Sequence, residues 1–371
     1  MTGADTERSG VRHLEQLARR PRPAGGTAEH EARAYAASVL VTLGFAVREE
    51  PFSYSAFPGR YATPIAGGVL GATTVGAAAL ALAGFATAAA GVLLMGAAST
   101  ALFARWMLAD GVLALPWLRT DGVNLAATRG VAQPKVWLAA HLDSKSQPVP
   151  SVVRMAGVAV LSLALTLAAM AVLLTLVGLP ARMLWWGALA SGVVGACPVL
   201  ASVVGAQSNG AVDNASGVAA VLAAAARLGP GVACGVLLPS AEELGLAGAR
   251  AWARAHAPCI ALNCDGVDDA GALVIMYNTP VPSDVIGAVR SAAAAHTGGV
   301  GVAHVRRMPL GLLTDSTALA AGGWSTVTVS YGSLATLRRV HTPADSLGNL
   351  RGTSIDDVAE ILARAAEALA T

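Results

Sequence analysis

The sequence predicts an α/β fold, in which a mixed, mostly parallel sheet is sandwiched by helices, plus four transmembrane helices in two hairpins. Three observations predict it. Strand-like and helical segments alternate after residue 213, and two long stretches contain almost no charged residue. The chain of 371 residues is also 54% hydrophobic and 13% charged, with a mean hydropathy of +0.58. This composition is too apolar for a soluble domain of that length, so part of the chain is expected in lipid.

The N-terminal region is predicted to contain a helix and a strand. Apolar residues between 27 and 43 recur at helical spacing, and the pattern ends at Gly44. Residues 45–54 alternate as in a strand, and Pro51 restricts that strand to an edge of the sheet or ends it.

The first transmembrane hairpin is predicted between residues 61 and 104, which include no charged side chain. A span needs about 20 apolar residues, so this run accommodates two helices with a turn near Gly84. A second hairpin is predicted from 155–181 and 183–212, which only Arg182 separates. A buried helical hairpin in a soluble core is the alternative, but uncharged runs of this length favour membrane spans.

Each hairpin returns the chain to the side from which it left, so the polar segments are expected to form one α/β domain. The predicted division is 1–60 (domain), 61–109 (hairpin), 110–154 (domain), 155–208 (hairpin) and 209–371 (domain). Within the domain, strands are predicted at 122–130, 134–143, 231–240, 259–265, 272–277, 302–308 and 325–331. Helices are predicted at 246–257, 282–297, 315–322 and 354–370.

Basic residues near the spans predict the membrane orientation. Arg60, Arg105 and Arg154 flank the spans on the domain side, and Arg182 lies in the far turn. The positive-inside rule therefore favours a multi-pass protein with a cytoplasmic domain, and the polar N-terminus has no signal-peptide pattern. The bilayer is thus an expected partner. A net charge of +2 gives no indication of nucleic-acid binding, and no pattern indicates an oligomeric state.

Acidic and imidazole side chains follow the predicted strands. The carboxyl ends of parallel strands meet at one edge of a sheet, where ligands bind. Taken alone, Glu242 and Glu243 fit acidic residues in the first turn of a helix, where the helix dipole favours them. Two histidines with several carboxylates suit Zn²⁺ or a similar divalent ion, and the four cysteines form no CxxC pair. The candidate residues are His141, Asp143, Asp213, Glu242, Glu243, Asp265 and His341.

These residues lie in motifs that resemble a known family, the co-catalytic di-zinc aminopeptidases of clan MH. The family includes bacterial leucyl aminopeptidases, glutamate carboxypeptidase and the one-zinc glutaminyl cyclases. The resemblance extends over the polar part of the chain and implies a zinc exopeptidase fold. The motifs, in the order of the family, are HLD (141–143), DNASG (213–217), EELGLAG (242–248), NCD (263–265) and HTPADS (341–346).

The resemblance also implies roles for the residues and two Zn²⁺ ions, although another divalent metal would suit the same ligands. Asp213 would bridge the metals, with His141 and Asp265 at one and Glu243 and His341 at the other. Glu242 would be the general base, and Asp143 would orient His141. The implied activity is an aminopeptidase that acts on peptide substrates.

Two departures from the family pattern stand out. Residues 144–212 replace a short loop, and Val340 stands where the family has a transition-state tyrosine. Tyr331 is a candidate to replace that tyrosine, and the alternative is that Tyr331 only packs in the hydrophobic core. The segment 314–316 matches an acidic position near the cleft of relatives but also fits an ordinary helix N-cap.

Three other functions compete with the peptidase. A one-metal acyltransferase like glutaminyl cyclase is disfavoured because both His141 and Asp265 are present. A membrane scaffold or receptor that keeps the fold without catalysis is disfavoured because the ligand set is complete. A transporter is less consistent still, since the predicted spans contain no ionisable residue except Arg182 in a turn.

Overall fold

The computed structural model describes residues 9–107, 111–296, 301–309 and 311–371. The chain forms two compact units. The α/β unit comprises Met1–Tyr54, Arg119–Ser146 and Ala206–Thr371, and the helical unit comprises Ser55–Leu118 and Gln147–Gly205. The predicted segment boundary at 109/110 and the predicted helix end at 297 lie outside the described residues.

The described part of the α/β unit is built on an eight-stranded sheet with the order β1-β2-β4-β3-β5-β8-β6-β7. Pairings of β3 with β4 and β5, of β5 with β8 and of β6 with β7 are parallel, whereas β2–β4 and β6–β8 are antiparallel. The predicted mixed, mostly parallel sheet is therefore confirmed. The strands are β1 Ala46–Ser55, β2 Arg119–Arg129, β3 Val136–Ala139, β4 Cys234–Leu238, β5 Ile260–Val267, β6 Ala272–Tyr277, β7 Ala303–Arg307 and β8 Ser325–Gly332.

Helices cover both faces of this sheet, because its central strands are apolar on both sides. In β3, Val136 and Leu138 join one hydrophobic core, and Trp137 and Ala139 join the other. The first core includes residues of α1 Gly10–Leu17, α2 Thr27–Thr42, α7 Gly217–Arg227, α9 Ser283–Ala295 and α12 Ile355–Ala370. The second core includes residues of α8 Ala247–Ala255 and α10 Asp315–Ala321. A short helix, α11 Leu334–Arg339, follows β8.

The helical unit contains, among the described residues, four helices that are long and apolar enough to cross a membrane. These are α3 Phe57–Leu82, α4 Ala86–Trp106, α5 Ser151–Leu176 and α6 Arg182–Leu200. A three-residue helical turn, Val112–Ala114, follows the first pair. The second pair is shorter than predicted, since α6 ends at Leu200 rather than near residue 212. Residues 201–210 carry no charge, but they include polar and glycine residues and lie outside the helix. The absence of charge alone therefore predicted too long a helix.

Small residues allow close packing inside the helical unit. A Cβ on Gly195 of α6 would lie 2.6 Å from the backbone nitrogen of Leu161 in α5, so only glycine permits this approach. Close contacts through small residues are typical of helix pairs in membranes. Arg105 lies in the last turn of α4, and Arg182 is the first residue of α6. The arginines therefore lie near the ends of the helices, where charged heads can reach an interface.

Candidate metal centre

The ends of three neighbouring strands bring candidate residues together. His141 and Asp143 follow β3, the Glu242–Glu243 pair follows β4, and Asp265 lies within β5. β3 pairs in parallel with both β4 and β5, so these residues meet at one edge of the sheet. Ala241, directly before the glutamates, has a φ of 57°, a left-handed conformation that is uncommon outside glycine.

Asp213 reaches the same edge from an irregular turn. Residues Ala211–Ser216 form a π-helical turn before α7, in which Asp213 itself has a non-helical φ of −116° and ψ of 90°. The Asp213–Asn214 peptide bond is cis. Both carboxylate oxygens of buried Asp345 accept backbone hydrogen bonds here, from Val212 N at 2.6 Å and Asp213 N at 3.2 Å. No role was predicted for Asp345, although it lies in the HTPADS motif.

The central observation is that Asp213 contacts two histidines through different oxygens. Its Oδ1 lies 3.1 Å from Nε2 of His141, and its Oδ2 lies 2.9 Å from Nε2 of His341. Asp265 Oδ1 lies 3.8 Å from the His141 nitrogen, and Glu243 Oε1 lies 3.3 Å from the His341 nitrogen. The five side chains that were predicted as metal ligands therefore form one cluster, in which Asp213 lies between the two histidines.

Two groups of donor atoms fit a divalent ion. One ligand atom each from His141, Glu242 and Asp265 lies within 4.8 Å of the others, and the same holds for Asp213, Glu243 and His341. Buried His141 Nε2 and Glu243 Oε1 make no hydrogen bond among the described residues. Buried polar atoms of this kind need compensation, and carboxylates with imidazole are donors that zinc accepts. The residues therefore fit a metal centre.

Asp143 contacts both His141 and the glutamate loop. His141 Nδ1 lies 3.6 Å from the carboxylate of Asp143 and 3.1 Å from the backbone oxygen of the same residue. The Asp143 carboxylate also accepts hydrogen bonds from the backbone of Glu242 at 3.0 Å and of Glu243 at 3.1 Å. Asp143 therefore aligns the glutamate loop and lies beside the imidazole that it is predicted to orient.

The pKa values of the adjacent glutamates shift in opposite directions. Burial, with repulsion from Glu243 and Asp315, raises the pKa of Glu242 well above its ordinary value despite the opposing effect of His141. Burial would also raise the pKa of Glu243, but Lys145 and His341 lower it to about 2. Burial alone would lower the pKa of His141, but Glu242 and the neighbouring aspartates raise it well above its usual range. The carboxylates that raise the pKa of His141 create a negative potential at this edge, as expected of a site that takes a cation.

Asn214 and Ser216 connect the Asp213 turn to β5. The Asn214 side chain donates to Cys264 O at 2.9 Å and accepts from Gly266 N at 3.1 Å. Ser216 Oγ accepts from Val267 N at 2.8 Å. These bonds hold Asp265 in register with Asp213, since they join the backbone on both sides of Asp265 to the turn.

Arg22 holds the same region together from the N-terminal segment. Its buried guanidinium donates to the backbone oxygens of Leu17 (2.6 Å), Leu142 (2.9 Å), Asn209 (2.7 Å) and Gly210 (3.1 Å). Burial lowers its pKa to about 10, and Asp345 with other carboxylates opposes this effect. Arg22 thus ties the loop after β3 to the turn that carries Asp213. The second hairpin separates these segments in sequence, and no local pattern marked this arginine.

We expect Arg22→Met to lower the free energy of unfolding by about 3 kcal/mol or more, because several buried carbonyl groups lose their donors. Thermal unfolding of the purified protein in detergent measures this loss as a lower melting temperature. Arg19→Met is the matched control, since Arg19 is exposed on the same segment. Equal melting temperatures for the two variants would contradict the role given to Arg22.

The other candidates have clear positions. Thr314 caps α10, and Asp315 is fully buried with neither carboxylate oxygen hydrogen-bonded among the described residues. Burial, opposed by His141 and reinforced by carboxylates of the site, raises the pKa of Asp315 to about 8. The structure is thus compatible with both interpretations of residues 314–316, an acidic side chain near the cleft and an ordinary helix N-cap. Tyr331 is buried and packs in the first hydrophobic core, in accord with the core alternative.

A family comparison bears on this site. The family model described as "Peptidase family M28" matches residues 124–366, which is more than half of the chain. The chain belongs to peptidase family M28. The match spans all seven candidate residues and the second hairpin, whereas Arg22 and the first hairpin precede it. No curated protein sequence matches the chain.

Solved structures support the M28 fold. A Zn-dependent exopeptidase from Parabacteroides distasonis superposes with a TM-score of 0.57 at 15% identity, covering 98% of each chain. An aminopeptidase from Aneurinibacillus sp. strain AM-1 gives 0.54 at 16% identity, covering 98% of this chain and 93% of that one. A glutaminyl cyclase from Porphyromonas gingivalis gives 0.53 at 15% identity, with coverages of 98% and 97%. At these identities the likeness establishes the shared fold.

Proposed function

We propose that this protein is a membrane-embedded, zinc-dependent aminopeptidase that removes N-terminal residues from peptides at a two-zinc centre. The observation that supports it best is the position of Asp213, which offers one oxygen to the side of each histidine. A carboxylate placed in this way is suited to bridge two ions. Membership of peptidase family M28 supports the reaction class.

The proposed ligands divide around Asp213. His141 and Asp265 would complete one zinc site, and Glu243 and His341 the other. Bound zinc would supply Lewis-acid chemistry, because it acidifies a coordinated water and polarises the scissile carbonyl. The hydrogen bond between His141 Nδ1 and the Asp143 backbone oxygen leaves the Nε2 lone pair for the ion.

Glu242 is the proposed general base. Its carboxylate lies within 4.8 Å of ligand atoms of His141 and Asp265, and its burial favours proton uptake. It would take a proton from the attacking water and pass it to the leaving amine. The Asp143 carboxylate holds the backbone amides of both glutamates, so Glu242 keeps its position while its neighbour binds metal.

The proposed location is a membrane, with the catalytic unit on the cytoplasmic face. The four apolar helices support the membrane location. The excess of Arg60, Arg105 and Arg154 over Arg182 at the opposite helix ends supports the orientation.

We expect the full chain in detergent to release the N-terminal amino acid from short unblocked peptides, and a chelator to abolish this release. Mass spectrometry of the products and metal analysis of the protein measure both properties. N-acetylation of the same peptides should block cleavage, whereas C-terminal amidation should not. Cleavage of acetylated peptides would contradict an aminopeptidase. If the protein instead binds one metal per chain and cyclises N-terminal glutamine, it is a glutaminyl-cyclase-like acyltransferase.

A further inference from the structure

A lysine lies beside one half of the candidate centre. Lys145 Nζ is 2.5 Å from Glu243 Oε2, and only 16% of the lysine side chain and 3% of the glutamate side chain are exposed. The other oxygen of Glu243, Oε1, is the one that faces His341. Lys145 and His341 therefore contact different oxygens of the Glu243 carboxylate.

Hydrogen bonds on both sides fix the position of Lys145. Ser144 N donates to Arg22 O at 2.8 Å, and Ser144 Oγ accepts from Arg22 N at 2.9 Å. Ser146 Oγ accepts from Gln207 N at 2.8 Å. The loop is thus tied down immediately before and after the lysine, so its contact with Glu243 is built into the fold. Only two of the 25 basic residues in the chain are lysines, at positions 135 and 145.

The two halves of the centre differ in their charged neighbours. Lys145 lowers the pKa of Glu243, and together with burial it opposes the carboxylates that raise the pKa of His341. Asp143, Glu242 and Asp315 are near both halves, since each interacts with His141 and with Glu243. The contact of Lys145 with Glu243 is therefore the asymmetry that remains. An ammonium group repels a divalent ion, and carboxylates attract it.

We propose that Lys145 confines Glu243 to metal binding through Oε1 alone and weakens cation binding at the Asp213–Glu243–His341 half. The protein would then take up two zinc ions in two steps of unequal affinity, with the His141–Asp265 half filled first. This inference rests on the proposed two-zinc function. It assigns Lys145 as a positioning residue that acts through Glu243.

Zinc titration of the metal-free full chain in detergent, by calorimetry and by competition with a chromophoric chelator, tests the inference. Lys145→Met should tighten the weaker zinc step at least about tenfold, because a positive charge near the ion is removed. The tighter step should change by less than about threefold, since Lys145 contacts Glu243, which belongs to the weaker half. Lys145→Arg retains the charge and should stay within about threefold of the unchanged protein at both steps.

Lys135→Met is the matched control, because Lys135 is the other lysine of the chain and is exposed at the start of β3. Lys145→Gln is the neutral replacement if Lys145→Met does not fold. Zinc should also raise the melting temperature of the neutral variant more than that of the unchanged protein, because tighter binding stabilises more.

A weaker zinc step that is unchanged or looser in both neutral variants would overturn the inference, as would an equal gain in Lys145→Arg. The peptidase proposal fails by a different result. If the zinc constants shift as expected but no peptide in the panel is cleaved, the charge effect of Lys145 stands and the proposed hydrolysis falls.

Discussion

We expect Glu242→Gln to lower kcat for peptide hydrolysis by at least about 10³-fold while zinc binding is retained. The amide keeps the size of the side chain and removes its ability to accept a proton. The Asp143 carboxylate binds the backbone amide of residue 242, so the substitution leaves that support intact. Steady-state hydrolysis of an unblocked peptide, with metal analysis of the same preparation, measures both quantities.

The neighbouring variant Glu243→Gln provides the sharpest comparison. Glu243 Oε1 faces His341, so this substitution should remove zinc from one half of the centre as well as lowering activity. Glu15→Gln, on an exposed face of α1, should change neither property. Activity within about tenfold of the unchanged protein would exclude Glu242 as the base. Loss of zinc from Glu242→Gln would instead make Glu242 a ligand, as its proximity to His141 and Asp265 permits.

Most of the fold was predictable because its signals are periodic and local. The uncharged runs predicted the four long helices, and the alternation after residue 213 predicted the sheet and its helices. The end of α6 was not predictable from charge, because residues 201–210 are uncharged but not helical. Helix α11 was also missed, since its LATLRR sequence is too short to establish a period.

The site was predictable only where residues belong to motifs. The placement of acidic and imidazole residues after predicted strands led to the seven candidates, and their motifs implied the roles. The structure brings the seven to one edge of the sheet. Residues that act through long-range contacts carried no such signal. Arg22 lies in an arginine-rich segment, where nothing distinguishes it from its neighbours. Glu29 has the sequence position of an ordinary first-turn acid, but in the structure it accepts a hydrogen bond from Ser240 Oγ at 2.5 Å. For Lys145, the rarity of lysine was the one available indication.

We expect Asp213→Ala to remove both zinc ions and to lower peptide hydrolysis by at least about 10³-fold. Asp213 is the one proposed ligand that lies within 3.1 Å of both histidines. Without it, each half would keep only two of its proposed protein ligands, which are too few for a typical zinc site. Metal analysis after dialysis against a weak chelator, together with the peptide assay, measures the loss.

Single-site variants decide whether Asp213 is shared. Asp265→Ala removes a ligand from one half, and His341→Ala removes one from the other, so each variant should retain one zinc ion where Asp213→Ala retains none. Asp284→Asn, at an exposed carboxylate in the first turn of α9, should keep both ions and full activity. If Asp213→Ala still holds an ion as firmly as the single-site variants, Asp213 serves one half only. The two halves would then be independent sites, since nothing else among the five proposed ligands contacts both histidines in the described structure.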